Sequence, residues 1–219
     1  MAQTSETSVT RGAHVQHHFV DSDQQFESSK MGMWIFLVTE ILFFGGLFLG
    51  YITFRLWYPD LYIMASEHLD TFWGTVNTIV LIGSSLTVAM AIRSAQLNQQ
   101  KGLIINLCIT IALAATFMVI KYFEYAHKFE LGILPGTYYT YEGIPHDLAN
   151  IFFSIYYMMT GLHGLHVMIG IGLMIWLIVR ARKGHFHSGY YTPVEVTGLY
   201  WHLVDIIWIF LFPLLYLID

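Results

Sequence analysis

Five apolar runs dominate this chain, at about 31–54, 72–92, 103–123, 149–179 and 197–218. Each meets the ~20 residues that a helix needs to cross ~30 Å of hydrocarbon. Charged residues make up 11% of the sequence and the mean hydropathy is +0.56, whereas a soluble domain carries ~25% charged residues. The fold expected is therefore all-α, a polytopic membrane bundle of five transmembrane helices. The fourth run would be ~46 Å long as a helix, so it must tilt or protrude. No internal repeat is visible.

Residues 1–30 are polar, lack an apolar period and read as a mobile tail, with the transmembrane domain at 31–219. Nothing before about residue 31 resembles a cleaved secretory signal. Orientation follows from Lys and Arg. Arg11, Lys30, Arg93, Lys101, Arg180, Arg182 and Lys183 fall on one side, and Arg55, Lys121 and Lys128 on the other. This bias puts the N-terminus in the cytoplasm and the C-terminus outside. Trp34, Trp57, Trp73, Tyr122, Tyr125 and Trp201 sit near span ends, as interfacial aromatics do. The outer stretch LPGTYYTYEGIPHD is turn-rich and can serve as a docking surface. The net charge of −5 gives no nucleic-acid footprint, and the one cysteine, Cys108, reads as packing filler.

The informative residues are the polar ones inside the runs. TGLHGLHVMIG, at 160–170, places His163 and His166 three apart on one helix face, and Gly161, Gly164 and Gly170 admit a neighbouring helix. Glu40 lies ten residues past Lys30, ~15 Å deep. His202 and Asp205 share a face of the fifth run at a similar depth; Asn77 lies nearer the outer end of the second. The expectation is one polar layer in which His163, His166, His202 and Asp205 satisfy one another. Glu40 has no basic residue within two turns of its own helix, so it calls for a partner's polar network or a role in proton relay.

Metal chemistry is the rival reading. HGLH, HLVD and EYAH each have i, i+3 spacing, and ExxH on paired helices is a di-metal pattern. It occurs once here, with Glu124 ~32 Å along its helix from Leu103 and so at the outer interface. Lys121 and Glu124 read there as a local ion pair. Haem between His163 or His166 and His202 is geometrically open but has no further support. His14, His17 and His18 read as part of a solvated tail rather than a metal site.

Four segments together, MWIFLVTEILFFGGLF, VIKYFEY, FFSIYYMMTGLHGLHVMIG and VEVTGLYWHLVDIIWIF, closely resemble subunit III of the haem–copper oxidases, above all the cytochrome c oxidase type. The resemblance runs from about Lys30 onward. It implies a chain without a redox centre, packed against subunit I, which holds the haems and copper, and supporting proton uptake into it. Subunit II and a subunit IV are further implied partners, with cytochrome c as the donor. Glu40 matches the family's membrane-embedded glutamate facing subunit I, and Glu124, His163, His166, Glu195, His202 and Asp205 match positions in the helix bundle. Mitochondrial members have seven spans, the first two forming a phospholipid-holding cleft with the rest. This chain begins where the third would lie, which implies a bacterial member of the inner membrane and leaves open whether phospholipid is bound.

Three alternatives follow. Five spans also resemble subunit III of quinol oxidases. A stand-alone metal or haem enzyme would use HGLH and HLVD. A small transporter would show broken helices and inverted repeats, but the first four runs contain no proline and Pro213 lies near the end of the fifth.

Overall fold

The computed structural model describes residues 16–17, 19–141, 143–144 and 148–218. The order is α1 (Ser22–Trp57), α2 (Pro59–Ser66), α3 (Thr71–Gln96), α4 (Gln100–Glu130), a single 3₁₀ turn (Gly136–Tyr138), α5 (Ala149–Arg182) and α6 (Thr192–Tyr216). Five of these helices are long and apolar enough to span a bilayer, and among the described residues there is no strand. Helices are what the composition demands, because hydrocarbon offers backbone amides no other partner.

The helices outrun the apolar runs at most ends. α1 starts at Ser22, inside the stretch expected to be a mobile tail, because Asp21 caps it: its carboxylate accepts from Gln24 N at 2.7 Å. α1 is thus ~54 Å long and α4 ~46 Å, so both project beyond the hydrocarbon. His17 carries no metal cluster with its described neighbours, and His14 and His18 lie outside the described residues.

α6 is the axis. Of its most apolar stretch 56% is buried, against 17% for α1. α1, α3 and α5 all pack on α6, while α4 bridges α3 and α5. The seams need small residues. A Cβ on Gly170 would stand 2.5 Å from the Trp201 ring, one on Gly198 2.5 Å from Ile92, and one on Gly74 2.7 Å from Phe212. Gly161 and Gly164, expected to serve the same purpose, do not: nothing lies within 4 Å of a Cβ on the first, and only Met118, at 3.9 Å, near the second.

Both ends are tied by loops. Asn98, at φ 58° in the α3–α4 turn, accepts from Ser188 N at 2.6 Å and so joins the α5–α6 loop. At the other end α2 buries Leu61 and Tyr62. Tyr62 packs edge-on to Tyr51 and Phe152, and burial pushes its phenol up to about 12. α1 is the most loosely held helix, with Lys30 bonded to Glu195 at 3.1 Å and Tyr51 to the Leu214 carbonyl. Lys30 is 38% exposed, so Lys30→Gln should shift unfolding of the subunit by no more than ~1 kcal/mol, read by thermal melting in detergent.

Candidate functional site: the intramembrane polar groups

The largest polar assembly lies where α4, α5 and α6 meet near one end of the bundle. Glu124 is its centre. Oε2 accepts from Lys121 Nζ at 2.9 Å, while Oε1 accepts from Lys128 Nζ at 2.8 Å, Tyr156 OH at 2.8 Å and Tyr216 OH at 2.6 Å. Lys121 also donates to Tyr216 OH at 2.5 Å. Its ammonium stands 4.7 Å from the Trp208 ring centroid, 5.1 Å from Tyr216 and 5.5 Å from Tyr156, and Lys128 lies 5.2 Å from Tyr156. Two cations thus share one carboxylate in a box of aromatic faces, which supply the negative potential the second cation lacks. Lys128 gains further from the C-terminal dipole of α4, in whose last turn it sits.

The expected Lys121–Glu124 pair is present, within a larger assembly than a local pair. The Lys121–Glu124 bond exists, but both side chains are less than a tenth exposed and three helices join there. Sequence reasoning missed Lys128, Tyr156 and Tyr216; the i, i+4 spacing from Glu124 to Lys128 was the one local signal.

Glu40 and His166 form the second group and bridge α1 to α5. His166 Nε2 is 3.0 Å from Glu40 Oε2, and Nδ1 is 2.8 Å from the Leu162 carbonyl. A carbonyl only accepts, so Nδ1 carries a hydrogen. The remaining contact then holds one proton between Nε2 and the carboxyl, as an ion pair or as a neutral pair. Tyr200 OH donates to the His166 carbonyl at 3.0 Å, and Phe44 packs edge-on to the imidazole at 5.2 Å. Glu40 therefore has a partner within its own chain.

The third group ties α3 to α6. His202 Nδ1 is 2.7 Å from Ser85 Oγ; Trp201 Nε1 donates to Ser84 Oγ at 3.0 Å, and Ser84 lies 3.5 Å from Asp205 Oδ2. Trp208 Nε1 donates to Thr78 Oγ1 at 3.1 Å.

His163 belongs to none of these. It is fully buried between Phe117 and Trp208, at ring distances of 5.5 and 5.2 Å, and neither nitrogen has a partner among the described residues. Asn77 is likewise buried without a described partner. The single layer expected of His163, His166, His202 and Asp205 is thus replaced by separate contacts. Residues three apart on a helix differ by about 60° in direction, enough to aim His166 at α1 and His163 at α4 and α6. Among the described residues no three His, Cys, Asp or Glu side chains are grouped as metal ligands.

Five membrane-length helices, with a Glu–His pair between two of them and a buried Lys–Glu–Lys box, make this a membrane-spanning bundle, and its relatives place it among the subunits of the haem–copper oxidases. A profile of the family described as cytochrome c oxidase subunit III matches residues 7–219, and the chain belongs to that family. It is 35% identical over 194 residues to the cytochrome c oxidase subunit 3 of Thermostichus vulcanus, covering 86% of each chain. It is 30% identical over 203 residues to that of Loxodonta africana, covering 87% of this chain and 69% of the relative. It is 28% identical over 192 residues to the probable quinol oxidase subunit 3 of Staphylococcus aureus (strain USA300), covering 88% and 90%. As a subunit III, the chain is one part of an oxidoreductase complex in the membrane and partners other oxidase subunits.

Proposed function

We propose that this chain is the non-catalytic subunit III of a bacterial, proton-pumping cytochrome c oxidase, which reduces O2 to water. It stabilises subunit I, which carries the haems and copper, supports proton uptake into it and holds no redox centre itself. The carrying observation is the Glu40–His166 pair, a proton-sharing unit on the least buried of the five spans; Ile35, Val38, Leu42, Leu49 and Leu56 lie exposed along it. Identity above 30% to bacterial cytochrome c oxidase subunits supports the donor assignment and the inner membrane as location. The Lys and Arg bias supports a cytoplasmic N-terminus. Glu195, through Lys30, and His202 and Asp205, through α3, act in this reading by holding α1 and α6 in place for subunit I.

Glu40→Gln tests the reading. The amide can still bond the imidazole but cannot exchange a proton, so the purified oxidase should keep its haem spectrum and lose sustained turnover or pumped protons per electron. Full turnover over many cycles with normal pumping would remove the role from Glu40. The second reading, a quinol oxidase, is favoured by the relatives of that name. Purifying the complex decides between them: a subunit II with a dinuclear copper site favours cytochrome c.

A further inference from the structure

α3, α4, α5 and α6 pack in a closed ring, each on the next, so that α3 stands across from α5 and α4 across from α6. In one layer of the ring, Phe117 from α4 and Trp208 from α6 meet edge-on at 4.9 Å, and His163 from α5 touches both, at 5.5 and 5.2 Å. The fourth corner is Asn77. Along the buried stripe of α3, Gly74 faces Phe212 and Tyr216 of α6, and Ser84 accepts from Trp201. Asn77 lies between them on that stripe. Its neighbour Thr78 accepts from Trp208 Nε1 at 3.1 Å, which puts Asn77 level with Trp208 and so with His163.

Both polar side chains of this layer are completely buried, and none of their four nitrogen and oxygen atoms has a partner among the described residues. A buried amide or imidazole without a hydrogen bond is costly, and proteins nearly always satisfy such groups with another side chain or with an internal water. What the two groups present identifies the ligand. The carboxamide has both donors and an acceptor, and a neutral imidazole has one of each. An ion would use only half of that set, whereas a water donates and accepts at once. The layer also has a way in. Phe117 lines an opening of about 250 Å³ between α4 and α5, which runs past Gly161 and Gly164 on either side of His163 and is bordered by Lys121, Tyr125 and Thr160. Nothing lies within 4 Å of a Cβ on Gly161, so the opening is not closed at that turn.

We propose that Asn77 and His163 bind an internal water between α3 and α5, inside the hydrocarbon-spanning part of the bundle. The water accepts from Asn77 Nδ2 and donates to an imidazole nitrogen, or accepts from the imidazole and donates to Asn77 Oδ1. Either way it ties together the two helices that face each other across the ring. The site lies apart from the Glu40–His166 pair and holds whichever electron donor the complex uses.

The test irradiates the intact complex in lipid nanodiscs with a short synchrotron X-ray pulse. A bound water split in place yields a hydroxyl radical, which oxidises the side chains it touches. Trp208, Phe117 and His163 should gain oxygen, read by peptide mass spectrometry, at several times the yield of Met174, which is equally buried on α5. Asn77→Leu combined with His163→Leu removes both ligands of the water and should bring Trp208 and Phe117 down to the Met174 yield. Melting of the complex gives a second readout. Each single substitution strands the other side chain and should lower the melting temperature, and the two together should cost less than their sum. Oxidation in the parent complex decides the matter even where a variant fails to assemble. Parent yields at Trp208 and Phe117 no higher than at Met174, or yields unchanged in the double variant, would overturn the proposal. Non-additive melting without oxidation would overturn it in favour of a direct bond between Asn77 and His163.

Discussion

Glu124→Leu should leave little or no subunit III in the purified complex. The substitution strands Lys121 and Lys128 together in a site less than a tenth open to solvent, and it removes the acceptor of Tyr156 and Tyr216 as well. Removing one partner of a buried pair costs about 3–5 kcal/mol, because the charge left behind is uncompensated. Here two are left, against a total stability on the order of 5–15 kcal/mol for a typical domain. The companion variant makes the argument sharp. Lys121→Met, Glu124→Leu and Lys128→Met combined takes out every charge, and buried ion pairs exchanged wholesale for apolar groups are often neutral. It should recover most of the subunit, as measured by its ratio to subunit I on denaturing gels and by thermal melting. A single Glu124→Leu that assembles normally would mean that the aromatic box alone can hold two ammonium groups.

Gly170→Val should be nearly as damaging by a different route. Its first added carbon would stand 2.5 and 2.6 Å from two atoms of the Trp201 ring, and Trp201 is itself completely buried and bonded to Ser84. Neither helix has slack there, so α5 and α6 must part. Overpacking of this kind costs about 1–3 kcal/mol and more where a ring cannot turn; the Trp201–Ser84 bond would go with it, for about 1 kcal/mol more. Gly161→Ala is the control, with nothing within 4 Å of its added carbon, and should melt with the parent. Equal melting of both variants would mean that α5 and α6 are not in register as described.

The spans were legible because hydrocarbon imposes a length, and ~20 apolar residues are hard to mistake. Their ends were not. SDQQFESSK has no apolar period, yet it is helical, because one capping carboxylate at Asp21 and the momentum of the span behind it suffice. The polar groups show the same division. Spacing found Lys121 with Glu124 and brought His163, His166, His202 and Asp205 to similar depth. Partner choice depends on which helix faces which, and the Lys121 network draws on Tyr156 and Tyr216, 35 and 95 positions away. Two histidines three apart looked like one site and serve two neighbours. A glycine-rich motif looked like one seam, and only Gly170 lies in it.

The helix on which α1, α3 and α5 pack is the last of the five to leave the ribosome. Until it emerges, the Ser84 and Ser85 hydroxyls have no Trp201 or His202, Lys121 has no Tyr216, and α1 has little to lean on. The earlier spans must therefore wait in the bilayer as a loose set, in the keeping of the insertion machinery. A chain stopped short of residue 192 leaves Lys121 without Tyr216 and the Trp208 ring, a cation facing lipid that quality control could read.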